Sequence, residues 1–403
     1  MDIYIQEKPP WKNVEWIKSP FWVTVPDITY VDWISDANEV ATKSKEEIRD
    51  LDKEHKWELA KKMVNPYELV YTHDDDRLPP SLSLEYPLSR SFFKMVEILN
   101  VSGFFEAMKN INNIRSVHVA EGPGGFIQAL YNRAALKNKT ISSSFAMTLK
   151  PNNPHVPGWK KATQFLQKNK QVRIHYGADG TGDIYNTENQ DSFIEFSKPK
   201  AHIFTADGGF DFSVDYALQE QHVFHLLICS ITVGIRTLAK GGQFILKLFD
   251  CASPNTKTLI LVLSRCFADW TLYKPAMTRP CNSERYFIGR DFRGDNANPI
   301  LAALMEIQEH SARSMYPIIS RELLTEIPFL DKHIESTTAL QVTSIKLAIS
   351  LIHSPEEWWK KWYLKCLKKS SIWCETFRVP SIPDMTHMTV TRLRFPELAN
   401  TFF

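Results

Sequence analysis

Apolar positions follow two different rhythms along the chain. Between about 115 and 290, short apolar runs alternate with stretches of helical period, the signature of βαβ units and a mainly parallel sheet. Ser116-Val117-His118-Val119-Ala120 reads as a strand, followed at once by Glu121-Gly122-Pro123-Gly124-Gly125-Phe126 and a helix through Arg133. His202 to Ala206, Gly241 to Asp250 and Asn282 to Gly289 read as later strands, and Ser89 to Glu97 as a helix ahead of the first. After Gly294 the period turns helical, over Ile300–His310, Ala339–Ile352 and Pro355–Lys369. Upstream, Ile48, Leu51, His55, Leu59 and Met63 form a narrow apolar seam, which predicts one long helix between Asp36 and Val64. Asp74-Asp75-Asp76-Arg77-Leu78-Pro79-Pro80 closes that region. The opening aromatics and prolines (Trp11, Trp16, Pro20, Phe21, Trp22) read as short extended pieces clamped onto another surface.

Glycine usage sharpens the division. All 15 glycines lie between Gly103 and Gly294, and glycine is spent where backbone turns with positive φ or approaches a ligand closely. Three parts are expected: an extension over 1–85, an α/β domain over 86–295 and a helical extension over 296–403. The two extensions offer surfaces for a protein partner or for self-association.

Apolar residues at 43% and charged residues at 23% exclude wholesale disorder. No apolar run approaches the roughly 20 residues of a membrane span, so no membrane partner is expected, and the first residues lack a signal-peptide layout. A cytoplasmic location is expected ahead of a nuclear one, and secretion is not. The six cysteines show no C-x-x-C pair and no zinc spacing, so free thiols and no metal site are expected. A formal charge of +2 means that any polyanion must be drawn by a local patch.

Candidate chemistry sits at the strand ends. The glycine-rich turn after the first strand resembles the entry to a nucleotide-type site, although Pro123 removes one N–H donor and a tight turn without ligand remains open. Asp207 follows an apolar strand, where an N-cap is the plainer role. Lys247 stands out, because an ammonium inside an apolar strand is costly unless it is used or paired. Glu284 opens a late strand and Lys94 sits beside Phe92 and Phe93; singly, each reads as a surface charge.

Together these segments resemble the FtsJ-like ribose 2′-O-methyltransferases, most closely the mRNA cap-specific branch of eukaryotes and large DNA viruses. The resemblance spans Leu88 to Arg293. It rests on Ser89-Arg90-Ser91-Phe92-Phe93-Lys94-Met95, Glu121-Gly122-Pro123-Gly124-Gly125-Phe126, Phe145-Ala146-Met147-Thr148-Leu149-Lys150, Gly182-Asp183-Ile184, Ala206-Asp207-Gly208-Gly209-Phe210, Lys247-Leu248-Phe249-Asp250 and Asn282-Ser283-Glu284-Arg285-Tyr286, in that order. It implies a Rossmann-like methyltransferase fold, a mostly parallel seven-stranded sheet with the last strand antiparallel. It implies a tetrad of Lys94, Asp207, Lys247 and Glu284. An S-adenosylmethionine (SAM) site is implied at Gly122, Pro123, Gly124, Gly125, Phe126, Asp183, Ile184 and Asp207. Contacts to a capped RNA are implied at Leu218, Gln219 and Asn282. A ribosomal or transfer RNA ribose methyltransferase and a catalytically silent member of the fold are the alternatives.

The chemistry explains the residue types. Methylating a ribose hydroxyl requires positioning and removal of one proton. An amine held among apolar side chains beside a like charge is disfavoured in its charged form, while neighbouring acids oppose that effect. Lys247 is therefore expected to be the general base, with Lys94 and Glu284 setting its charge and geometry and Asp207 holding it. Phe126 is read either as part of an adenine slot or as core. In Pro355–Lys369, aromatics interleaved with lysines suit either RNA stacking or an amphipathic helix that buries Trp359, Trp362, Tyr363 and Leu367, and packing is the favoured reading.

Overall fold

The computed structural model describes residues 9–20, 24–35, 39–51, 56–72, 77–150, 158–209, 219–325, 328–353 and 356–394, with backbone alone at 39–40, 49–51, 353 and 356–361. The N-terminal extension supplies β1 (Ile17–Lys18), β2 (Thr29–Val31), α1 (Glu39–Leu51) and α2 (Lys56–Met63). The expected long helix is thus described as two, with residues 52–55 outside the described set. Of the acidic stretch that follows, Asp74 to Asp76 lie outside it as well.

The central region begins with α3 (Ser91–Val101) and α4 (Phe104–Ala107). Alternation then sets in: β3 (Asn113–Val119), α5 (Gly125–Leu136), β4 (Thr140–Met147), α6 (Thr163–Lys168), β5 (Val172–His175), α7 (Thr187–Phe196), β6 (Ala201–Ala206), α8 (Gln219–Thr237), β7 (Leu238–Leu248), α9 (Pro254–Ser264), β8 (Phe267–Tyr273) and β9 (Arg285–Phe292). The strands lie in the order β1-β8-β9-β7-β6-β3-β4-β5. Pairs from β5 to β7 are parallel, and β9 runs antiparallel to both β7 and β8. The expected seven strands with an antiparallel last one are therefore present. An eighth was not expected: β1 adds two residues antiparallel to the β8 edge.

Burial on both faces explains the near-continuous apolar runs in these strands. One face packs under α8 and α9, with Phe204, Phe244 and Phe267 in its core. The other packs under α3 and α5, with Phe92, Phe126 and Tyr286.

The C-terminal extension contributes α10 (Asn298–Ser311), β10 (Tyr316–Ile318), α11 (Arg321–Thr325), α12 (Pro328–His353), α13 (Glu356–Thr376) and α14 (Asp384–Arg394). β10 pairs with β2, and α12 begins at Pro328 rather than at the expected Ala339. Ile48, Trp57 and Met63 of the first extension pack with Ile345, Leu351, Trp362 and Tyr363 of the second. Trp373 and Phe377 at the end of α13 enter the α3/α5 core. In the opening segment the Arg290 guanidinium lies over the Trp16 ring, 3.4 Å from its centroid, while Phe21 and Trp22 lie outside the described residues. All six cysteines are free and buried. Among the described residues, no helix is long and apolar enough to cross a membrane, and no group of three His, Cys, Asp or Glu is placed to hold a metal ion.

Candidate active site

The sheet brings the four expected charged residues to one edge. Asp207 is the first residue beyond β6, Lys247 is the penultimate residue of β7, and Glu284 stands just ahead of β9. Lys94 lies in the first turn of α3, against the same face. Lys94 Nζ is 2.6 Å from Glu284 Oε1. Lys247 Nζ is 3.4 Å from Asp207 Oδ1 and donates to the Asp207 carbonyl at 2.6 Å. The four side chains retain only 7 to 14% of their exposure. Each costly buried charge is thus paired, the condition under which such groups persist.

Tyr286 joins the two pairs. It stands opposite Lys247 in the β7–β9 ladder, and its hydroxyl lies 2.8 Å from Asp207 Oδ1 and 2.9 Å from Glu284 Oε1. Burial raises the phenol pKa well above its usual value, and the two carboxylates push it further, so the hydroxyl keeps its proton. For the Glu284 carboxyl, burial works upward. The ammonium groups of Lys94 and Lys247 and the bonds from Lys94 and Tyr286 outweigh it and hold the pKa at about 2.

A second charged layer supports the first. Glu68, fully buried, takes Arg90 at 3.1 Å and Arg279 at 2.9 Å, with the Asn65 amide donating at 2.7 Å. Burial opposes the charged form of Glu68, but the two guanidinium groups prevail and its pKa is lowered. Arg90 also donates to the carbonyls of Met277 and Tyr71, which ties the start of α3 to the loop before Glu284.

The glycine-rich turn lies at the end of β3, as expected. Gly124 has φ of +98° and caps α5. Gly125 permits a close approach: a Cβ there would lie 2.2 Å from Ser91 Oγ and 2.5 Å from Ser89 Oγ. Two motifs far apart in sequence, Ser89–Lys94 and Glu121–Phe126, therefore meet through a missing methyl group. At Gly182, φ is +72° and a Cβ would lie 2.0 Å from the Thr148 carbonyl, so the Asp183 loop presses on the end of β4. Asp183 is half-buried and Ile184 buried. Glu121 is buried beside His118 and Thr205, and burial raises its pKa. The Phe126 ring is 1% exposed and sits in the core 5.8 Å from Tyr286. Gln219, at the start of α8, is buried, and Asn282 is exposed. Leu218 and Phe210 lie outside the described residues.

Sequence reasoning missed Tyr286, Glu97 and Lys274. Glu97 follows Lys94 by one helical turn, fully buried. It accepts from the Tyr273 hydroxyl, from Ala276 N–H at 2.8 Å and from Trp373 Nε1 at 2.8 Å. Lys274, just past β8, donates to the carbonyls of Asn282 and, at 3.0 Å, Glu284. Its signal was present: a lysine directly after the apolar run Trp270-Thr271-Leu272-Tyr273.

This sheet order and these strand-end residues agree with the comparison by sequence. Residues 87–292 match the model of the FtsJ-like methyltransferase family. The chain belongs to that family. It is similar to cap-specific mRNA (nucleoside-2′-O-)-methyltransferase 1 of Xenopus laevis, 34% identical over 183 residues that cover 43% of this chain and 21% of that protein. The protein of the same name from Trypanosoma brucei brucei is 30% identical over 217 residues, 51% of this chain and 56% of that one. The matches thus span about a fifth and about half of the lengths of these curated relatives. Among solved structures, a ribosomal RNA methyltransferase of Plasmodium falciparum aligns over 51% of this chain and 98% of its own, at 19% identity and a TM-score of 0.33. In this FtsJ-like chain, Lys94, Asp207, Lys247 and Glu284 all lie within the matched residues.

Proposed function

We propose that this chain transfers a methyl group from SAM to the ribose 2′-hydroxyl of a cap-proximal nucleotide in mRNA. The observation that carries the reading is the pair of lysine–carboxylate contacts, Lys94–Glu284 at 2.6 Å and Lys247–Asp207 at 3.4 Å, joined by one tyrosine hydroxyl. The domain division of 1–85, 86–295 and 296–403 is proposed with it.

The strand ends suit the chemistry of SAM better than that of a nucleotide phosphate. Glu121 and Asp207 stand close enough at these strand ends for the charge of one to bear on the other, and Pro123 removes an N–H that a phosphate would use. Acids at this edge repel phosphate and suit a ligand carrying a sulfonium and an ammonium. Gly122, Pro123, Gly124, Gly125 and Phe126 would hold the ligand through backbone, with Asp183 and Ile184 from the facing loop. When bound, SAM supplies a methyl group already activated by positive sulfur.

The proton is the chain's own task. Lys247 Nζ takes it from the 2′-hydroxyl. As an ammonium this nitrogen has three protons and no lone pair, so it must first release one to solvent. The Asp207 carboxylate and carbonyl fix where the nitrogen stands. Lys94, held by Glu284, orients the acceptor oxygen, and Gln219, Leu218 and Asn282 contact the RNA.

The test is transfer of a labelled methyl group to short RNAs with and without a cap, followed by nuclease mapping of the modified ribose. Label confined to capped RNA, on a cap-proximal ribose, is the expected result. Equal labelling of uncapped ribosomal or transfer RNA would move the substrate to the other branch. Lys247→Ala should abolish transfer, by about a thousandfold or more, with SAM binding nearly intact. Normal turnover by that variant removes Lys247 as the base.

A further inference from the structure

The loop from Lys274 to Glu284 leads from β8 into β9 and delivers Glu284 to the site. Its first part is tied from outside: the Ala276 N–H to Glu97, the Met277 carbonyl to Arg90 and the Cys281 carbonyl to Gln341 of α12 at 3.2 Å. Its last part is tied differently. Three successive carbonyls, those of Asn282, Ser283 and Glu284, all accept from buried cations. Lys274 takes the first and third, and Arg285 Nε takes the second at 3.1 Å.

Both cations are expensive. Lys274 is 7% exposed and Arg285 1%, and the Arg285 Nη1 has no hydrogen-bond partner among the described residues. Burial pushes the Lys274 ammonium down to about 7, and the nearby charges of Arg285 and Lys94 push the same way. A methionine of similar length would fill the space without that cost. Expensive groups of this kind concentrate where function needs them.

The bonds of Lys274 go to main chain, so what they fix is the path of the turn. The Glu284 side chain is held separately, by Lys94 at 2.6 Å, Tyr286 at 2.9 Å and Thr278 Oγ1 at 3.3 Å. If the turn shifts, Glu284 Oε1 leaves Lys94 and Tyr286 together, and the exposed Asn282 swings with it. We propose that Lys274 is a positioning residue, whose ammonium draws in the carbonyls of Asn282 and Glu284 and so sets both side chains for the reaction. The activity arm of this assignment rests on the methyl-transfer reading; the geometric arm does not.

The test compares wild type with Lys274→Met by RNA methylation kinetics, SAM binding, thermal midpoint and amide hydrogen exchange over 281–286. The variant should lose about a hundredfold in kcat, the scale of an ångström-sized misplacement. Its SAM affinity should change by less than about threefold. The thermal midpoint should hold or rise, because a buried ammonium has gone. Exchange at Ser283, Glu284 and Arg285 should quicken by about tenfold or more. If the methionine variant does not fold, Lys274→Leu, which likewise removes the donor, is read in the same way. Unchanged exchange in the folded variant overturns the assignment whatever the activity does, and so does kcat within about twofold of wild type. If wild type methylates no RNA, the functional reading fails, and exchange alone still decides whether Lys274 holds the turn.

Discussion

The hydroxyl of Tyr286 lies 2.8 Å from the carboxylate of Asp207, a residue 79 positions away that reaches it only because β9 runs antiparallel beside β7. The same oxygen is 2.9 Å from Glu284 Oε1. One proton thus serves two acids, and the lysine paired with each acid is placed through that shared atom. The arrangement converts two ion pairs into one unit in which movement of either is felt by the other.

Tyr286→Phe tests that unit. The ring stays packed against Phe126, so the fold should survive, while Asp207 and Glu284 each lose a partner inside the protein. A lost hydrogen bond to a charged group costs about 1.5–3 kcal/mol, which sets the expected fall in kcat at about ten- to a hundredfold. SAM binding should change little. Steady-state kinetics beside calorimetric SAM titration would separate these terms. A kcat equal to wild type would mean that the two ion pairs act independently.

Gly125 tests the contact between the cofactor turn and the helix that carries Lys94. A Cβ at this position would lie 2.2 Å from Ser91 Oγ, 2.5 Å from Ser89 Oγ and 3.0 Å from the Phe92 nitrogen. The serine hydroxyls can rotate away, but the backbone nitrogen cannot, so α3 and α5 must separate. Gly125→Ala should destabilise by about 1–3 kcal/mol, as overpacking does, and should weaken SAM binding. Adding Ser91→Gly should recover part of both losses. Chemical denaturation of the single and double variants reads the first, and SAM titration the second.

The fold was legible where pattern is local. Apolar runs separated by helical period marked β3, β6 and β7, and Lys247 stood out because no polar alternation surrounds it. Local pattern failed where a role depends on register or distant packing. Tyr286 looked like any aromatic in a buried strand until pairing placed it opposite Lys247. Glu97 looked like the polar face of a helix, yet its three donors come from residues 179 and more positions along the chain, apart from Tyr273. β1 is two residues long, too short for any periodicity to show. The seam of Ile48 and Met63 is apolar as its period predicts, but period alone gives no partner, and the partner is the C-terminal extension.

Glu97 gives the stability a pH dependence of known sign. Burial raises its pKa from 4.5 to about 7, against the pull of its donors. Between those two values the folded chain binds a proton that the unfolded chain has released. Stability from this group is therefore complete below pH 4.5 and is lost as pH rises through 7, by roughly 3 kcal/mol. Glu97→Gln cannot titrate. Its amide will also face the Trp373 N–H, a constant cost of about 1–3 kcal/mol. Urea unfolding of both proteins from pH 5 to 8 should show wild type losing stability relative to the variant. A constant difference across that range would place the carboxyl pKa at its ordinary value.

The basic aromatic segment of α13 makes the last prediction. Stacking on RNA requires rings that face solvent, yet Tyr363 is fully buried and Trp362 and Leu367 are nearly so, while the Trp359 side chain lies outside the described residues. The Tyr363 hydroxyl meets His387 Nδ1 at 2.9 Å, and Cys366 Sγ donates to the Asn65 carbonyl at 3.4 Å. This face of α13 is therefore committed to α14 and to the N-terminal extension, and the rings within it are not offered to bases. Lys368 is exposed and Lys365 half-exposed, on the outer side of a helix whose inner face is packed. Neutralising both, Lys365→Gln with Lys368→Gln, should leave the slope of log affinity for capped RNA against log salt concentration unchanged. Each lysine that contacts a phosphate contributes about 0.7 to 0.9 to that slope. A slope shallower by about 1.5 would mean that both touch the RNA backbone and that this helix lies along the substrate path.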